Sequence, residues 1–252
     1  MKRIYRFIVN LTKQILDKYG LKIHVLRFLA LIHAKKLPLN ADRYLVVAPH
    51  PDDEVFGCAG LIHRLNRQGK DIHVVILTQG EAVHDEPLID IPILVAKRRE
   101  LTLNAAKILG LMPSQYTFLD WGDGNVPEVQ NNINKKMELI SIIETKKPEV
   151  IFTPHVTDGH YDHIYTTQIV RTMLHPSMKL MNYCVWFWKQ GYRNNWNKSY
   201  ILTMNKKEQL VKSKAIDAYI LPVDEHGIPY SGDLVELSYY WRWRKELYFD
   251  AD

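Results

Sequence analysis

"YLVVAPHPDDEVFGCAG", Tyr44 to Gly60, decides the reading of the fold. An apolar, β-branched run ends at Ala48, and two residues later come His50, Pro51 and three consecutive acids, Asp52, Asp53 and Glu54. The succession predicts a buried strand, a tight turn and the first turn of a helix, with Pro51 where a helix tolerates a missing N–H. Polar side chains at such a turn project from the carboxyl end of a strand, where open α/β sheets bind their ligands.

The same alternation continues outward. Strands are predicted at Tyr44 to Ala48, Ile72 to Thr78, Tyr116 to Leu119 and Val150 to Thr153, with helices near Glu54 to Arg67, Pro92 to Leu109 and Val129 to Thr145. Strands alternating with helix-length segments imply a mainly parallel, Rossmann-like α/β sheet with helices on both faces. A second strand-to-helix junction, "TPHVTDGHYDH", offers Asp158, His160, Asp162 and His163. His50 and Asp53, like His160 and His163, are spaced so that one helical turn brings both side chains to one side. Two imidazole-and-carboxylate clusters at strand ends suit a catalytic metal, which takes three protein ligands and keeps one position for water. Taken singly, Asp52 or Asp53 is equally well read as a helix cap.

The chain has 252 residues, 46% of them hydrophobic, enough for one sizeable α/β domain. The net charge of +5 is uneven: residues 1–40 hold nine Lys or Arg against Asp17 alone, and the remainder is slightly acidic. A nucleic-acid-binding body is therefore not expected. Ile4, Phe7, Ile8, Leu11, Ile15 and Tyr19 recur at helical spacing among Lys2, Arg6, Lys13 and Lys18, so residues 1–40 read as a basic amphipathic arm and residues 41–252 as the catalytic domain. Such an arm packs on the domain or lies on an anionic membrane face. No apolar run is long enough to span a bilayer, and the two distant cysteines, Cys58 and Cys184, fit a reducing cytoplasm, with a peripheral place at the inner membrane face if the arm docks there.

"APHPDDE" together with "GHYDH" resembles the PIG-L, or LmbE-like, zinc-dependent de-N-acetylases, and the resemblance extends through "TQGEA", "RRELTLNAAKILG" and "LDWGDG", over roughly residues 44 to 170. It implies that His50, Asp53 and His163 hold zinc, with ferrous iron the alternative, and that Asp52 is the general base. It further implies that His160 stabilises the oxyanion, that Asp162 orients His160 and supports its cationic form, and that Arg98, Glu81 and Asp123 contact substrate. The activity implied is removal of acetyl from an N-acetylated sugar, lipid- or glycan-linked. An amidase acting on a small acylated amine, and a membrane-docked carbohydrate binder with a vestigial site, are the other readings. Oligomeric state is not legible.

The chain departs from the family pattern at Tyr161, at Asp158 and at "AIDAYIL" from Ala215, which leaves a pocket wall from that last region in doubt. Two aromatic segments, Tyr183 to Lys189 and Tyr239 to Phe249, suit core strands or sugar-stacking platforms. Trp241 to Arg244 alternates as a strand with one aromatic and one cationic face would.

Overall fold

β2 (Arg43–Ala48) is buried from its second residue on because both of its faces are covered, and the two faces serve different cores. Tyr44, Val46 and Ala48 join one hydrophobic cluster, Leu45 and Val47 the other. The computed structural model describes residues 20–84, 88–190, 195–232 and 234–251. Among these, eight strands form one sheet: β1 (Lys35–Lys36), β2, β3 (Asp71–Ile76), β4 (Tyr116–Phe118), β5 (Val150–Pro154), β6 (Lys179–Tyr183), β7 (Ser199–Thr203) and β8 (Lys245–Asp250). Their order across the sheet is β1-β7-β8-β6-β5-β2-β3-β4. β8 runs antiparallel to both of its neighbours and every other pair is parallel. The expected mainly parallel sheet is present.

Helices cover both faces. The larger core contains buried residues of α1 (Leu21–His33), α2 (Asp53–Arg67), α3 (Ile91–Leu109) and α8 (Lys206–Ile220). The other contains residues of α4 (Val126–Val129), α5 (Ile133–Lys146) and α6 (Tyr161–Arg171), with Trp121. The single helix expected from Val129 to Thr145 is thus two, because Asn132 caps α5 by accepting from Lys135 N. A short α7 (Phe187–Gln190) follows β6.

α2 lies close over the sheet because it has glycine where it crosses Tyr183. A Cβ on Gly57 would come to 2.9 Å from Tyr183 Cε2 and 3.0 Å from Cγ. A buried ion pair fixes the far end: Glu246 on β8 accepts from Lys212 Nζ (2.7 Å), Gly60 N (2.7 Å) and Leu61 N (2.9 Å), so β8, α8 and α2 are tied at one carboxylate.

One further sequence expectation changes. Trp241 to Arg244 is not a strand but the bend leading into β8; Trp241 stacks on Phe56 with centroids 3.9 Å apart, Arg242 pairs with Asp217 and Arg244 bonds Met204 O. Their alternation reflects separate local partners and not a pleat. The apolar stripe from Ile4 to Tyr19 lies outside the described residues, but the continuation of that arm, α1, packs on the domain through Ile23, Leu26 and Ala30. No helix among the described residues is long and apolar enough to cross a membrane. Cys58 and Cys184 are free and buried.

Candidate active site

The parallel order reverses at β2: the chain goes from β2 to β3 on one side, and later returns to pair β5 with β2 on the other. A crevice opens where neighbouring strands connect in opposite directions. The turn after β2 and the turn after β5 are therefore side by side, and these are the turns that carry "HPDD" and "GHYDH".

At the first turn Asp52 adopts φ 117°, a conformation that costs a residue with a Cβ about 1–3 kcal/mol. Two contacts hold it there: Glu54 Oε2 accepts from Asp52 N at 3.1 Å, and Arg98 Nη2 reaches Pro51 O at 2.8 Å and Asp52 Oδ2 at 3.2 Å. Asp52 occupies the cap position of α2 yet its side chain makes no capping bond, which leaves the carboxylate for the cleft. Gly80 makes room for the arginine, since a Cβ there would lie 2.8 Å from Arg98 Cζ.

One oxygen, Asp53 Oδ2, lies 3.1 Å from His50 Nδ1 and 3.2 Å from His163 Nε2. His163 Nε2 is buried and, at that separation, has no hydrogen-bond partner. Each imidazole is anchored from behind. His50 Nε2 meets Asp162 Oδ2 at 3.0 Å and Asp123 Oδ1 at 3.1 Å, while His163 Nδ1 meets Asp158 Oδ2 at 3.0 Å. A carboxylate behind each ring fixes its orientation and raises its basicity, as in the carboxylate–histidine pairs of metal sites. His50, His160 and His163 also converge as a group able to hold an ion, as do His50, Asp123 and Asp162.

The electrostatics ask for positive charge. Burial opposes protonation of His50, but Asp123, Asp162 and Asp53 raise it well above the usual imidazole range, and His163, likewise buried, is raised to about 9 by Asp53 and Asp158. Burial would push Asp53 up, yet His163 and His50 hold it well below the usual carboxylate range. Without a cation, protons on the two rings neutralise the carboxylates; with one, the same rings are ligands. The donor set, with an orphaned imidazole nitrogen facing a carboxylate oxygen, fits a divalent metal. Asp52 behaves differently: burial raises it to about 7, against the pull of Arg98.

His160 is the N-cap of α6, its Nδ1 accepting from Asp162 N at 3.2 Å. The proton of the neutral ring is then on Nε2. Burial, followed by the charges on His163 and His50, lowers its pKa to about 4. The Asp162 carboxylate meets His50 Nε2 (3.0 Å) and Gly124 N (2.8 Å), and its bond to His160 is through Asp162 N.

The three residues expected at substrate divide. Arg98 and Asp123 line a cleft of about 260 Å³ in front of His50, Asp52, Asp53 and His160. Glu81 instead accepts from Asp123 N at 2.9 Å and supports the loop, whose Asp123 Oδ2 in turn accepts from Ala82 N. Sequence reasoning gave no role to Asp158 and offered an aromatic platform only as one reading of two whole segments, without placing Phe56, Val83, Trp186 and Leu234 together in the cleft. Phe56 comes from α2, Val83 from the loop after β3, Trp186 from the turn after β6 and Leu234 from the irregular segment after α8; Ala215 is buried in the core and Tyr219 donates to Glu54 Oε1 at 2.7 Å. Asp158 Oδ2 accepts from Val185 N, 27 residues on, as well as meeting His163 in its own segment, and no local pattern announces the longer-range bond.

An open α/β sheet with an imidazole–carboxylate cluster at its switch point, suited to a divalent cation, is the class that fold and site define. Residues 45–174 match the GlcNAc-PI de-N-acetylase (PIG-L) family, and the chain belongs to that family. It is 28% identical over 130 residues to the diacetylchitobiose deacetylase of Thermococcus kodakarensis, covering 50% of this chain and 47% of the relative. It is 32% identical over 136 residues to a protein of Bacillus subtilis described as a probable N-acetyl-α-D-glucosaminyl L-malate deacetylase, covering 48% and 56%. The chain spans about half the length of these curated relatives. The solved structure of the A40926 pseudoaglycone deacetylase Dbv21 shares the fold, with a TM-score of 0.63 and 15% identity over 83% of this chain and 96% of that one.

Proposed function

We propose that the protein is a metal-dependent hydrolase that removes acetyl from an N-acetylated amino sugar. The observation that carries this is the Asp53 oxygen between His50 Nδ1 and His163 Nε2, with the clamped carboxylate of Asp52 beside it at the floor of a cleft. The names of the relatives, deacetylases of N-acetylated sugars and of a glycopeptide pseudoaglycone, support the same reading.

His50, Asp53 and His163 are the ligands in this proposal, and two imidazoles with a carboxylate accept zinc or ferrous iron. When bound, such a cation polarises the amide carbonyl and acidifies water. Asp52 accepts the proton of the water that attacks the carbonyl carbon, and Arg98 keeps that carboxylate aimed into the cleft. The oxyanion that develops receives a hydrogen bond from the neutral Nε2–H of His160. As the C–N bond breaks, Asp52 returns its proton to the departing nitrogen, and acetate and a free amine result. Asp162 and Asp158 hold the two ligand rings throughout.

The test is acetate release by zinc-loaded protein from soluble and lipid-linked N-acetylhexosamines, with small acylated amines alongside. Turnover of the amines alone would replace the sugar reading with the amidase; metal uptake and sugar binding without turnover would leave a binder.

The proposal extends to docking of residues 1–40 on an anionic lipid surface. Supporting it, α1 exposes Leu21, Val25, Phe28 and Ile32 at helical spacing on the side away from Ile23, Leu26 and Ala30, and residues 20–40 contain no acid. Binding to phosphatidylserine vesicles should fall with rising salt and be lost in Phe28→Glu/Ile32→Glu, which spares the packed face. Vesicle binding unchanged by that pair would remove this part of the proposal.

A further inference from the structure

Trp186 was conspicuous in the sequence only as part of an aromatic segment, and the chemistry above does not use it. It lines the cleft, partly exposed, together with the apolar Phe56, Val83 and Leu234 and the charged residues of the site. Phe56 itself is spent in packing: it is 2% exposed and stacked on Trp241. Trp186 is held edge-on against Trp241, with centroids 5.6 Å apart at 79°, and Trp241 Nε1 donates to Val185 O at 3.1 Å. The backbone beneath it is held as firmly, for Asp158 accepts from Val185 N at 3.2 Å and also from Trp186 N.

The same Asp158 oxygen accepts from His163 Nδ1. One buried carboxylate therefore sets both the position of a metal-ligand ring and the position of the exposed indole. A cleft lined by both charged and apolar, aromatic side chains matches a pyranose, which presents hydroxyls at its rim and C–H bonds on its faces. Ser231, which also lines the cleft, has a buried hydroxyl without a partner among the described residues, which a ring hydroxyl would satisfy.

We propose that Trp186 is the platform on which the pyranose ring of the substrate lies, and that Asp158 is a positioning residue that keeps this platform in register with His163. The proposal rests on the sugar deacetylase reading and deepens it. An indole face lost from a sugar site costs about tenfold to a hundredfold in affinity, whereas loss of a carboxylate behind a ligand histidine costs about 10–100-fold in metal affinity.

The experiment measures three quantities on the zinc-loaded full chain: binding of N-acetylglucosamine by calorimetry, KM and kcat for acetate release, and zinc affinity by chelator competition. Trp186→Ala should weaken sugar binding and raise KM at least tenfold with kcat within about threefold and zinc affinity unchanged, and Trp186→Phe should recover part of the loss. Asp158→Ala should weaken zinc and sugar together. If the wild type binds the sugar but releases no acetate, and Trp186→Ala abolishes that binding, deacetylation is wrong and the platform stands. If Trp186→Ala binds sugar as the wild type does, or if Asp158→Ala weakens zinc alone, the platform or its coupling is overturned.

Discussion

Gly57→Ala adds one methyl group at the place where α2 crosses the sheet, and the structure sets its cost. The new Cβ would be 2.9 Å from Tyr183 Cε2 and 3.0 Å from Cγ, with Cδ2 nearer still, while ordinary carbon contacts begin at about 3.4 Å. The ring has nowhere to go: Tyr183 is fully buried on β6 and its hydroxyl donates to Val47 O at 3.1 Å. Overpacking costs about 1–3 kcal/mol, and a rigid aromatic obstacle argues for the upper part of that range. Alanine's better helix propensity returns about 1 kcal/mol. The net loss is about 2 kcal/mol, or about 4–8 °C in melting temperature for a chain of this size. The effect should not stop at stability, because Gly57 is one helical turn beyond Asp53. Displacing α2 moves that carboxylate relative to His163, and a misplacement of about 1 Å costs about a hundredfold in rate. Calorimetric melting and zinc competition measure both effects, and Gly57→Ala/Tyr183→Leu, compared with Tyr183→Leu alone, should recover part of each. A Gly57→Ala protein that melts within 1 °C of wild type (well under the ~4 °C expected) and binds zinc equally well would refute the argument.

Asp53→Ala and His163→Ala should each lose bound zinc with activity, and zinc titrated into metal-free wild type near neutral pH should release at least one proton per ion, read from the buffer dependence of the heat; zinc uptake without proton release would contradict the charge balance derived for the two rings. Asp52→Asn should retain zinc and lose about 10²–10⁴-fold in kcat, and a near-wild-type rate would sink Asp52 as base. His155 is buried against Phe187 and Phe249, and burial lowers its pKa to about 4. The unfolded chain then binds a proton that the folded one refuses between about pH 6.5 and pH 4, so stability is full above 6.5 and falls as pH drops through that window. His155→Gln should lessen the loss measured by urea unfolding between pH 7 and 4.5, on the order of 2 kcal/mol, and identical pH profiles would count against it.

What the sequence revealed is what local pattern controls. The β-branched runs after residue 44, each followed by a helical segment, are visible because a buried parallel strand must be apolar on both faces. "HPDD" and "GHYDH" are visible because chemistry compresses polar residues into the turns at strand ends. The less legible features are those that long-range packing decides. β7 was not predicted and β8 was seen only as part of the Tyr239–Phe249 aromatic segment, since the chain order does not reveal that Lys245–Asp250 enters the sheet between β6 and β7. The contact of Asp162 with His50 was not foreseen because proximity in sequence favoured His160, whereas the switch point brings His50 within 3.0 Å. Trp186 was not singled out within the Tyr183–Lys189 segment, whose core and sugar-stacking readings the sequence leaves open, because a tryptophan in an aromatic run is usually core.

The insertion of β8 has a consequence for how the protein is made. β6 and β7 never touch; each pairs with β8 in antiparallel register, Tyr183 opposite Tyr248 and Ile201 opposite Leu247. During synthesis both strands leave the ribosome before their shared partner and wait with open backbone edges, the condition under which strands pair with the wrong chain. Glu246, which gathers Lys212 and the backbone of α2, arrives on that same strand. The proposed metal ligands are thus translated long before the element that locks the helix bearing Asp53, and metal supplied early to the growing chain would meet them without the frame that orders them.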